Sequence, residues 1–292
     1  MMAWGLNIPA VKALTGVIDV VWVGIVRLVA AALVLTICLL LRDRRLPRLG
    51  VRNWLVLAGI AVLTIYANQL LFVRGMRLTS ASNAALTMSL MPLLALTAGA
   101  LLLRERVALR SAIGLAVGFC GVALVVLQAP NASVSIPGAG ELLLLAGLLA
   151  FVIGGLMIQR AVRELDVLVI GWATYSCGSL MLLVHGLVGG GLNETLQAFD
   201  AAWVWGCVLY SGVLGTALSN VCWYHVIGRI GQTRASPYFY WLAVFGVLFS
   251  ALVLAEPLVW WHAMGLALVV AGVRMGAGRP HGHGESTEAS AS

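Results

Sequence analysis

Two cations interrupt apolar stretches near the start of the chain. Lys12 and Arg27 each lie inside a run of weakly charged residues, and Arg27 stands seven residues into its run. At a helical rise of about 1.5 Å per residue, Arg27 would lie roughly 10 Å below a membrane surface. A fixed cation among hydrogen-bond partners suits a carboxylate, because charge-assisted hydrogen bonds are the stronger kind. We therefore expect Lys12 and Arg27 to contribute to a binding site for an anionic or zwitterionic substrate.

Both cations also have structural explanations. Ionisable groups cost at least about 2.5 to 3.5 kcal/mol near the centre of a bilayer, so they tend to face a cavity or to find a partner. Arg27 can tie its helix to neighbouring backbone carbonyls. The long side chain of Lys12 can reach the membrane surface while its stem stays in lipid. From the sequence alone, the functional and the structural role are both open for each residue.

Uncharged polar residues lie at comparable positions in other apolar runs. Tyr66, Gln69 and Asn83 fall at a depth similar to that of Arg27, counted from the ends of their runs. Asn7 and Asn220 carry amide side chains that either bridge helices by hydrogen bonds or hold an amino or carboxyl group. We include all five among the candidate substrate-binding residues.

Aromatic side chains complete the candidate substrate-binding set. Trp4, Tyr175, Tyr238 and Trp241 lie away from the ends of the apolar runs, where the aromatic residues of a membrane interface concentrate. Tyr238 and Trp241 are three residues apart and would share one face of a helix. A cavity lined by aromatic rings accepts flat or apolar side chains, while a few polar groups fix the orientation of the ligand.

Acidic residues avoid the centres of the apolar runs. All 11 Asp and Glu residues fall at the ends of runs, in connecting segments or in the C-terminal tail. A site that binds a lipophilic cation, or that trades protons on a carboxylate, needs such a group at depth. The sequence has no HExxH motif, no intramembrane Asp pair and no Ser/His nucleophile pattern, and its five cysteines form no CxxC pair. We predict that the protein is not an enzyme and that it has no metal site and no cofactor.

The candidate residues must be positioned by helices that cross a lipid bilayer. Of 292 residues, 61% are hydrophobic and only 10% are charged, which is not the composition of a soluble globule of this size. A spanning helix needs about 20 predominantly apolar residues. We therefore predict an all-α membrane protein with ten transmembrane helices, the first of them short, at residues 1–15, 20–41, 52–73, 78–103, 109–127, 141–160, 167–188, 201–226, 234–255 and 258–275.

The positive charges predict the orientation of these spans. If the N-terminus is inside, 14 of the 18 Lys and Arg residues fall in inner segments, and only Arg74 and Arg77 fall in outer loops. Because Lys and Arg in short loops are retained on the cytoplasmic side, both termini are expected to be cytoplasmic. The net charge of +7 then describes topology, and no nucleic-acid partner is expected.

Two parts of the chain repeat each other at a spacing of 151 residues. Glu105, Gly114-Leu115-Ala116 and Gly121-Val122 reappear as Glu256, Gly265-Leu266-Ala267 and Gly272-Val273, and a weaker spacing of 147 relates residues 4–12 to residues 151–159. Five spans precede the break and five follow it, so the two copies must be inverted relative to each other. We predict a first repeat at 1–127, an outer linker at 128–140, a second repeat at 141–275 and a disordered cytoplasmic tail at 276–292.

Several of these segments together resemble the EamA-type drug/metabolite transporters. The resemblance extends over residues 1–275 and rests on the segments 100–122 and 251–273 that close the two repeats, and on Trp4-Gly5, Arg27-Leu28-Val29-Ala30-Ala31 and Leu78-Thr79-Ser80-Ala81-Ser82 leading to Pro92. It implies a ten-span, multi-pass carrier of the cell inner membrane. Members of the family are largely exporters of amino acids, other metabolites and drugs.

The residues and the resemblance together predict a carrier that works by alternating access. Its expected substrates are small metabolites, with amino acids that bear aromatic or apolar side chains as the first candidates, moved by uniport or by a coupling that the sequence does not identify. Pro92 and Pro237 can bend a helix or free a backbone carbonyl, so they are candidate hinges. The alternatives are a multidrug or nucleotide-sugar transporter of the same superfamily and a membrane scaffold that transports nothing. The oligomeric state is open, and a monomer suffices for this mechanism.

Overall fold

A computed structural model describes residues 1–43, 48–79, 81–104, 108–128, 138–190, 197–242, 244–245, 248–249 and 260–276, without the side chains at positions 8, 9, 12, 20, 43, 81 and 82. Within these residues the chain is helical and has no strand. The Lys12 side chain, Glu105 and Glu256 of the sequence repeat, most of the predicted linker and nearly all of the predicted tail lie outside the described residues.

The helices begin and end close to the limits expected from hydropathy. In chain order they are α1 Met2–Thr15, α2 Val20–Asp43, α3 Val51–Ala61, π1 Val62–Ala67, α4 Asn68–Arg77, α5 Ala81–Ser89, α6 Met91–Leu103, α7 Leu109–Leu127, α8 Ala139–Ala161, α9 Val167–Gly189, α10 Ala202–Leu209, π2 Tyr210–Leu218, α11 Ser219–Ile230, α12 Gln232–Ala235, a 3₁₀ turn Ser236–Phe239 and α13 Trp260–Gly276. The labels π1 and π2 denote π-helical segments that continue directly into the flanking α-helices.

Seven helical segments in the described part of the chain are long and apolar enough to cross a membrane. They are Val21–Arg42, Val51–Arg77, Asn83–Leu103, Leu109–Leu127, Ala139–Ala161, Val167–Gly189 and Ala202–Ile230, and they correspond to the second to eighth predicted spans. α1 has 14 residues and α13 has 17, so both are shorter, and the ninth predicted span is described only in part. The protein is a multi-pass membrane protein, and the secondary structure of its described residues is helical.

Two of the seven segments contain a π-helical stretch near their middle. π1 lies between α3 and α4, and π2 lies between α10 and α11. These are the third and eighth predicted spans, which are equivalent positions in the two predicted repeats. π-helical turns are rare and occur frequently at functional sites, because the extra residue widens the helix locally.

The fourth predicted span is interrupted just before Pro92. α5 ends at Ser89 and α6 begins at Met91, with Pro92 in the first turn of α6. Proline has no backbone N–H and its ring collides with the preceding turn, so it is tolerated at the beginning of a helix and disrupts the interior of one. The proline therefore explains why this span consists of two helices.

α7 and α13 pack against each other through glycines, with backbone against backbone. A side chain at Gly272 would place its Cβ 2.5 Å from the nitrogen of Gly118, and one at Gly121 would place its Cβ 2.8 Å from the carbonyl oxygen of Gly265. Gly114 in turn lies against Gly272, so the two helices run in opposite directions. Small residues at helix contacts allow this close approach in membranes.

Contacts among the other helices are reciprocal between the first and the second half of the chain. α1 packs on π2, while α8 packs on π1; α2 packs on π2, while α9 packs on π1; and α2 and α9 contact each other. The largest buried cluster lies among these elements and includes Ile25, Leu35, Ile170 and Leu182. Residues on α1, α2, α9, π2 and α11 thereby meet in the interior of the protein.

Candidate functional site

Arg27 is held at the contact between α2 and π2. Its Nη2 donates a hydrogen bond to Oγ1 of Thr216 at 3.2 Å, whereas its Nε has no hydrogen-bond partner among the described residues. The close approach requires Gly212, where a Cβ would lie 2.6 Å from the Cβ of Ala30 and 3.0 Å from the carbonyl oxygen of Arg27. The guanidinium group is thus fixed at one end and has an unused donor.

Two buried tyrosines lie beside this arginine. Tyr175 of α9 and Tyr224 of α11 are both buried, and their phenol groups lie near each other. Tyr175 is also close enough to Arg27 for the two groups to interact electrostatically. Phenolic oxygens of this kind can donate to or accept from a polar ligand.

Amide and hydroxyl groups extend the polar region along π2. Asn7 of α1 is buried against Gly215, where a Cβ would lie 2.7 Å from its Cγ, and its Oδ1 has no partner among the described residues. Asn220 donates from Nδ2 to the carbonyl oxygen of Thr216 at 2.9 Å. Thr216 itself donates to the carbonyl oxygen of Ser211 at 2.8 Å, and the buried Ser211 hydroxyl is unpartnered in the described part of the chain.

We name these connected residues the Arg27 cluster; they are Asn7, Arg27, Tyr175, Ser211, Thr216, Asn220 and Tyr224. Burying polar atoms without partners costs free energy, so unpartnered atoms in a native protein call for an explanation. A polar ligand that uses Arg27 Nε and Asn7 Oδ1 would supply one. The former is a donor suited to a carboxylate, and the latter is an acceptor suited to an ammonium group.

A group of aromatic rings adjoins the Arg27 cluster. The Trp4 ring stacks on Phe239 with centroids 5.5 Å apart, Trp223 meets Phe239 edge-on at 4.7 Å, and Phe151 meets it at 6.2 Å. Trp4 is three residues from Asn7 on α1, and Trp223 is three residues from Asn220 on α11. Residues at that spacing are neighbours on a helix surface, so the polar and aromatic groups form one continuous region.

Other sequence-predicted site residues make their contacts elsewhere. Tyr66 lies on π1, where its hydroxyl is 3.4 Å from Nδ1 of His185. The Gln69 side chain lies over Gly24, and a Cβ at that glycine would be 3.0 Å from its Nε2. Trp241 stacks on Phe245 with centroids 5.8 Å apart.

Asn83 is engaged with a buried carboxylate. It donates from Nδ2 to Oε1 of Glu141 at 2.7 Å, and the same carboxylate accepts from the Thr79 hydroxyl and from the Gly138 backbone N–H. Glu141 is in the first turn of α8, where a negative charge also complements the helix dipole. It is the one buried Asp or Glu among the described residues.

Tyr238 and its neighbour Phe239 have different environments. Tyr238 is 38% exposed, whereas Phe239 is partly buried in the aromatic group. The chain reaches this point through Gly231, which has a φ of 84°, and a 3₁₀ turn, and these irregularities change which residues face inward. The pattern i, i+3 in the sequence had instead favoured Tyr238 and Trp241.

Both candidate hinge prolines lie in irregular helical segments, and these two segments are close to each other. Pro92 follows the break between α5 and α6, and Pro237 lies in the 3₁₀ turn after α12. The Ser236 hydroxyl is 3.5 Å from the carbonyl oxygen of Pro92, so the two irregular segments are in contact. Both prolines are buried.

The structure brings together five of the sequence-predicted site residues: Trp4, Asn7, Arg27, Tyr175 and Asn220. Sequence analysis missed Ser211, Thr216, Tyr224, Trp223 and Phe239 in the same region. A signal for Tyr224 and Trp223 was present, because they follow Asn220 by four and three residues. The described residues contain no group of three or more His, Cys, Asp or Glu side chains that could hold a metal ion.

Comparisons with known proteins identify relatives along nearly the whole chain. The model of the EamA-like transporter family matches residues 1–127 and 138–275. The uncharacterized transporter YyaM of Bacillus subtilis is 26% identical over 222 residues, covering 75% of this chain and 72% of that protein. A WAT1-related chloroplastic protein of Arabidopsis thaliana is 24% identical over 263 residues, covering 87% of this chain and 61% of its own length. A solved crystal structure superposes with a TM-score of 0.80 at 16% identity, covering 94% of this chain and 92% of that chain, which is a likeness of fold.

Proposed function

We propose, from the premise that this chain belongs to the EamA-like transporter family, that it exports small zwitterionic metabolites, amino acids with aromatic or apolar side chains first. Because it belongs to this family, the protein is a membrane transporter. The observation that carries the substrate proposal is the Arg27 cluster beside the aromatic group. Arg27 Nε would bind the substrate carboxylate, Asn7 Oδ1 would accept from its ammonium group, and Trp4, Trp223 and Phe239 would contact its side chain.

The proposed architecture is ten membrane spans in two inverted repeats. The reciprocal contacts support it, because exchanging the halves turns the α1–π2 contact into the α8–π1 contact. The glycine contact supports it as well: Gly114 meets Gly272, and Gly121 meets Gly265. Gly272 stands 151 residues after Gly121, and Gly265 stands 151 residues after Gly114. Each of the two α7 glycines therefore meets the repeat equivalent of the other one, which is the pattern expected for a two-fold axis in the membrane plane.

Alternating access would move the two halves about this axis. The breaks at Pro92 and Pro237 and the widened turns of π1 and π2 are the irregular points at which the helices could bend. We propose that both termini are cytoplasmic and that the protein resides in the cell inner membrane, since this orientation leaves 14 of 18 cations on the inner side.

A carrier of lipophilic cations is less well supported by the described residues. Such a substrate needs an available buried carboxylate. Glu141 is the buried one in the described part of the chain, and its oxygens already accept from Thr79, Asn83 and Gly138. No described carboxylate in the Arg27 cluster would repel a substrate anion.

Counterflow of L-phenylalanine in proteoliposomes tests the proposal. Arg27→Gln should lower the rate by about tenfold or more, the effect of losing one hydrogen bond to a charged group. Arg229→Gln is the matched control, because Arg229 is exposed in the last turn of α11. Equal rates for wild type and Arg27→Gln would refute the role of Arg27. A thermal-shift panel of amino acids, nucleobases and cationic drugs then tests the substrate class, and stabilisation by cationic drugs alone would refute the amino-acid proposal.

A further inference from the structure

A polar pocket lies away from the Arg27 cluster, where α6 and α8 end. It has a volume of ≈ 450 Å³ and is lined by Leu102, Leu103, Arg104, Gln159, Arg160 and Arg163. Arg104 directly follows α6, Arg160 is in the last turn of α8, and Arg163 is in the turn after α8. Three guanidinium groups from two segments of the chain therefore converge on one pocket.

The three guanidinium groups of this pocket are free to bind a ligand. None of them has an ion pair or a side-chain hydrogen bond within the part of the chain that the structure describes. Elsewhere on the protein, Arg42 pairs with Asp166 at 3.2 Å and Arg77 pairs with Asp19 at 3.7 Å. Like charges gathered around a pocket repel one another, and an anion between them removes that repulsion.

The form of the pocket indicates which anion it would accept. The planar fork of arginine matches phosphate oxygens in pairs, and the volume falls within the range of about 300 to 1,000 Å³ of small-molecule sites. One wall is apolar and continues to the outer surface of the helix, where Leu101 is 79% and Leu102 is 55% exposed. A ligand with a phosphate head and hydrocarbon chains would contact both the arginines and the leucines, whereas a free phosphate would contact the arginines alone.

We infer that this pocket binds the phosphate headgroup of an anionic phospholipid, with the acyl chains along Leu101 and Leu102. Basic pockets between membrane helices recognise such headgroups, because the charge is held at the depth of the lipid phosphates. Gln159 connects the pocket to the rest of the protein, since its Oε1 accepts from the backbone N–H of Gln232 at the start of α12. A bound lipid would therefore brace the end of α8 against the segment that leads to Pro237.

Native mass spectrometry of the purified full chain in a non-ionic detergent tests the inference without reference to transport. Phosphatidylglycerol and phosphatidylcholine with identical acyl chains are titrated in parallel, together with inorganic phosphate as a lipid-free source of the same chemistry. The pocket variant carries Arg104→Gln, Arg160→Gln and Arg163→Gln. The control variant carries Arg52→Gln, Arg110→Gln and Arg274→Gln, three other exposed arginines, so that both variants lose the same charge.

Wild type and the control variant should each retain one phosphatidylglycerol in preference to phosphatidylcholine, and the pocket variant should bind it at least about tenfold more weakly. Equal losses in the two variants would mean that general surface charge attracts the lipid, and would overturn the inference. Equal binding of both lipids would overturn it too. If inorganic phosphate abolishes the preference for phosphatidylglycerol over phosphatidylcholine, the pocket binds a free anion and the inference is overturned. If the triple variant does not fold, the single variant Arg160→Gln, compared with Arg52→Gln, gives the same comparison.

Discussion

Where α1 crosses π2, the side chain of Asn7 lies against Gly215; where α8 crosses π1, Gly154 lies against the side chain of Thr64. Asn7 and Gly154 are 147 residues apart, and Thr64 and Gly215 are 151 apart, which are the two spacings of the sequence repeat. Equivalent positions therefore meet in both contacts. The larger side chain is on α1 in one contact and on π1 in the other. The steric fit is the same in the two places. The polarity is different, because Thr64 donates to the Ile60 carbonyl oxygen at 2.7 Å, whereas Asn7 Oδ1 has no partner among the described residues.

The same difference extends through the rest of the Arg27 cluster. The residue 147 positions after Arg27 is Thr174, and the residue 151 positions before Thr216 is Ile65. Val73 likewise stands at the position equivalent to Tyr224. At these positions one side of the proposed two-fold axis is therefore more polar than the other. A symmetric frame can hold a one-sided site when the contacts between the halves conserve volume and not residue type.

The largest effect is expected at a contact that has glycine on both sides. Gly272→Ala should destabilise the protein by about 3 kcal/mol, since its Cβ would meet the backbone of Gly118, which cannot move aside as a side chain can. Gly206→Ala is the matched control, because no atom lies within 4 Å of the Cβ that it would add on α10. Equilibrium unfolding in mixed micelles measures both variants. Equal stabilities would contradict the close backbone contact.

Exchanging the residues of one contact tests the comparison directly. Gly215→Thr should cost about 2 kcal/mol by overpacking against Asn7, and adding Asn7→Gly should recover most of it by recreating the Gly154 and Thr64 arrangement. The double variant should fold but transport poorly, because the polar oxygen of Asn7 is gone. A double variant as unstable as Gly215→Thr alone would show that the two contacts are not equivalent.

Two buried threonines, one in each π segment, separate function from packing. Thr216→Val removes the acceptor of Arg27 Nη2 and should slow counterflow by about tenfold, the value of one hydrogen bond to a charged group. Thr64→Val removes only a bond to the backbone of its own helix and should leave counterflow within about twofold. Comparable transport losses in the two variants would place the functional chemistry on both sides of the axis.

The smallest effects are expected at two equivalent helix caps. Asp19 Oδ1 accepts from the Val21 N–H, and Asp166 Oδ1 accepts from the Leu168 N–H, each at 2.8 Å. Asp19→Ala and Asp166→Ala should each cost about 1 kcal/mol through loss of the cap. The Arg42 partner of Asp166 should add little, because the two side chains are 45% and 49% exposed. A much larger loss for Asp166→Ala would mean that this ion pair holds the helices together.

Hydropathy was sufficient to locate the seven spans seen in the described residues, because a helix in lipid must satisfy its backbone within a segment of fixed length. Sequence analysis also named five residues that lie together in the structure, since a polar side chain inside an apolar run is costly unless it has a partner or a function. The identity of the partner was not predictable. Thr216 is 189 residues from Arg27, and Asn83 turned out to anchor Glu141, 58 residues away.

The facing of residues near Pro237 was beyond sequence analysis for a different reason. An i, i+3 pattern assumes a regular α-helix, whereas Gly231 and the 3₁₀ turn at Ser236–Phe239 alter the rotation between successive side chains. Phe239 therefore contacts Trp4, and Tyr238 points toward the surface. π1 and π2 were unforeseen for the same reason, because no residue type in them marks the wider turn.

The glycine contact between α7 and α13 has a mechanical consequence. Interlocking side chains can change rotamer and let two helices slide past each other. Where two backbones touch directly, no side chains lie between them to adjust in this way. We expect α7 and α13 to move together as one rigid unit during any rearrangement of the protein. Any displacement of the two halves relative to each other must then occur in the other helices. A lipid bound at the ends of α6 and α8 would act on those mobile helices and not on the α7–α13 pair.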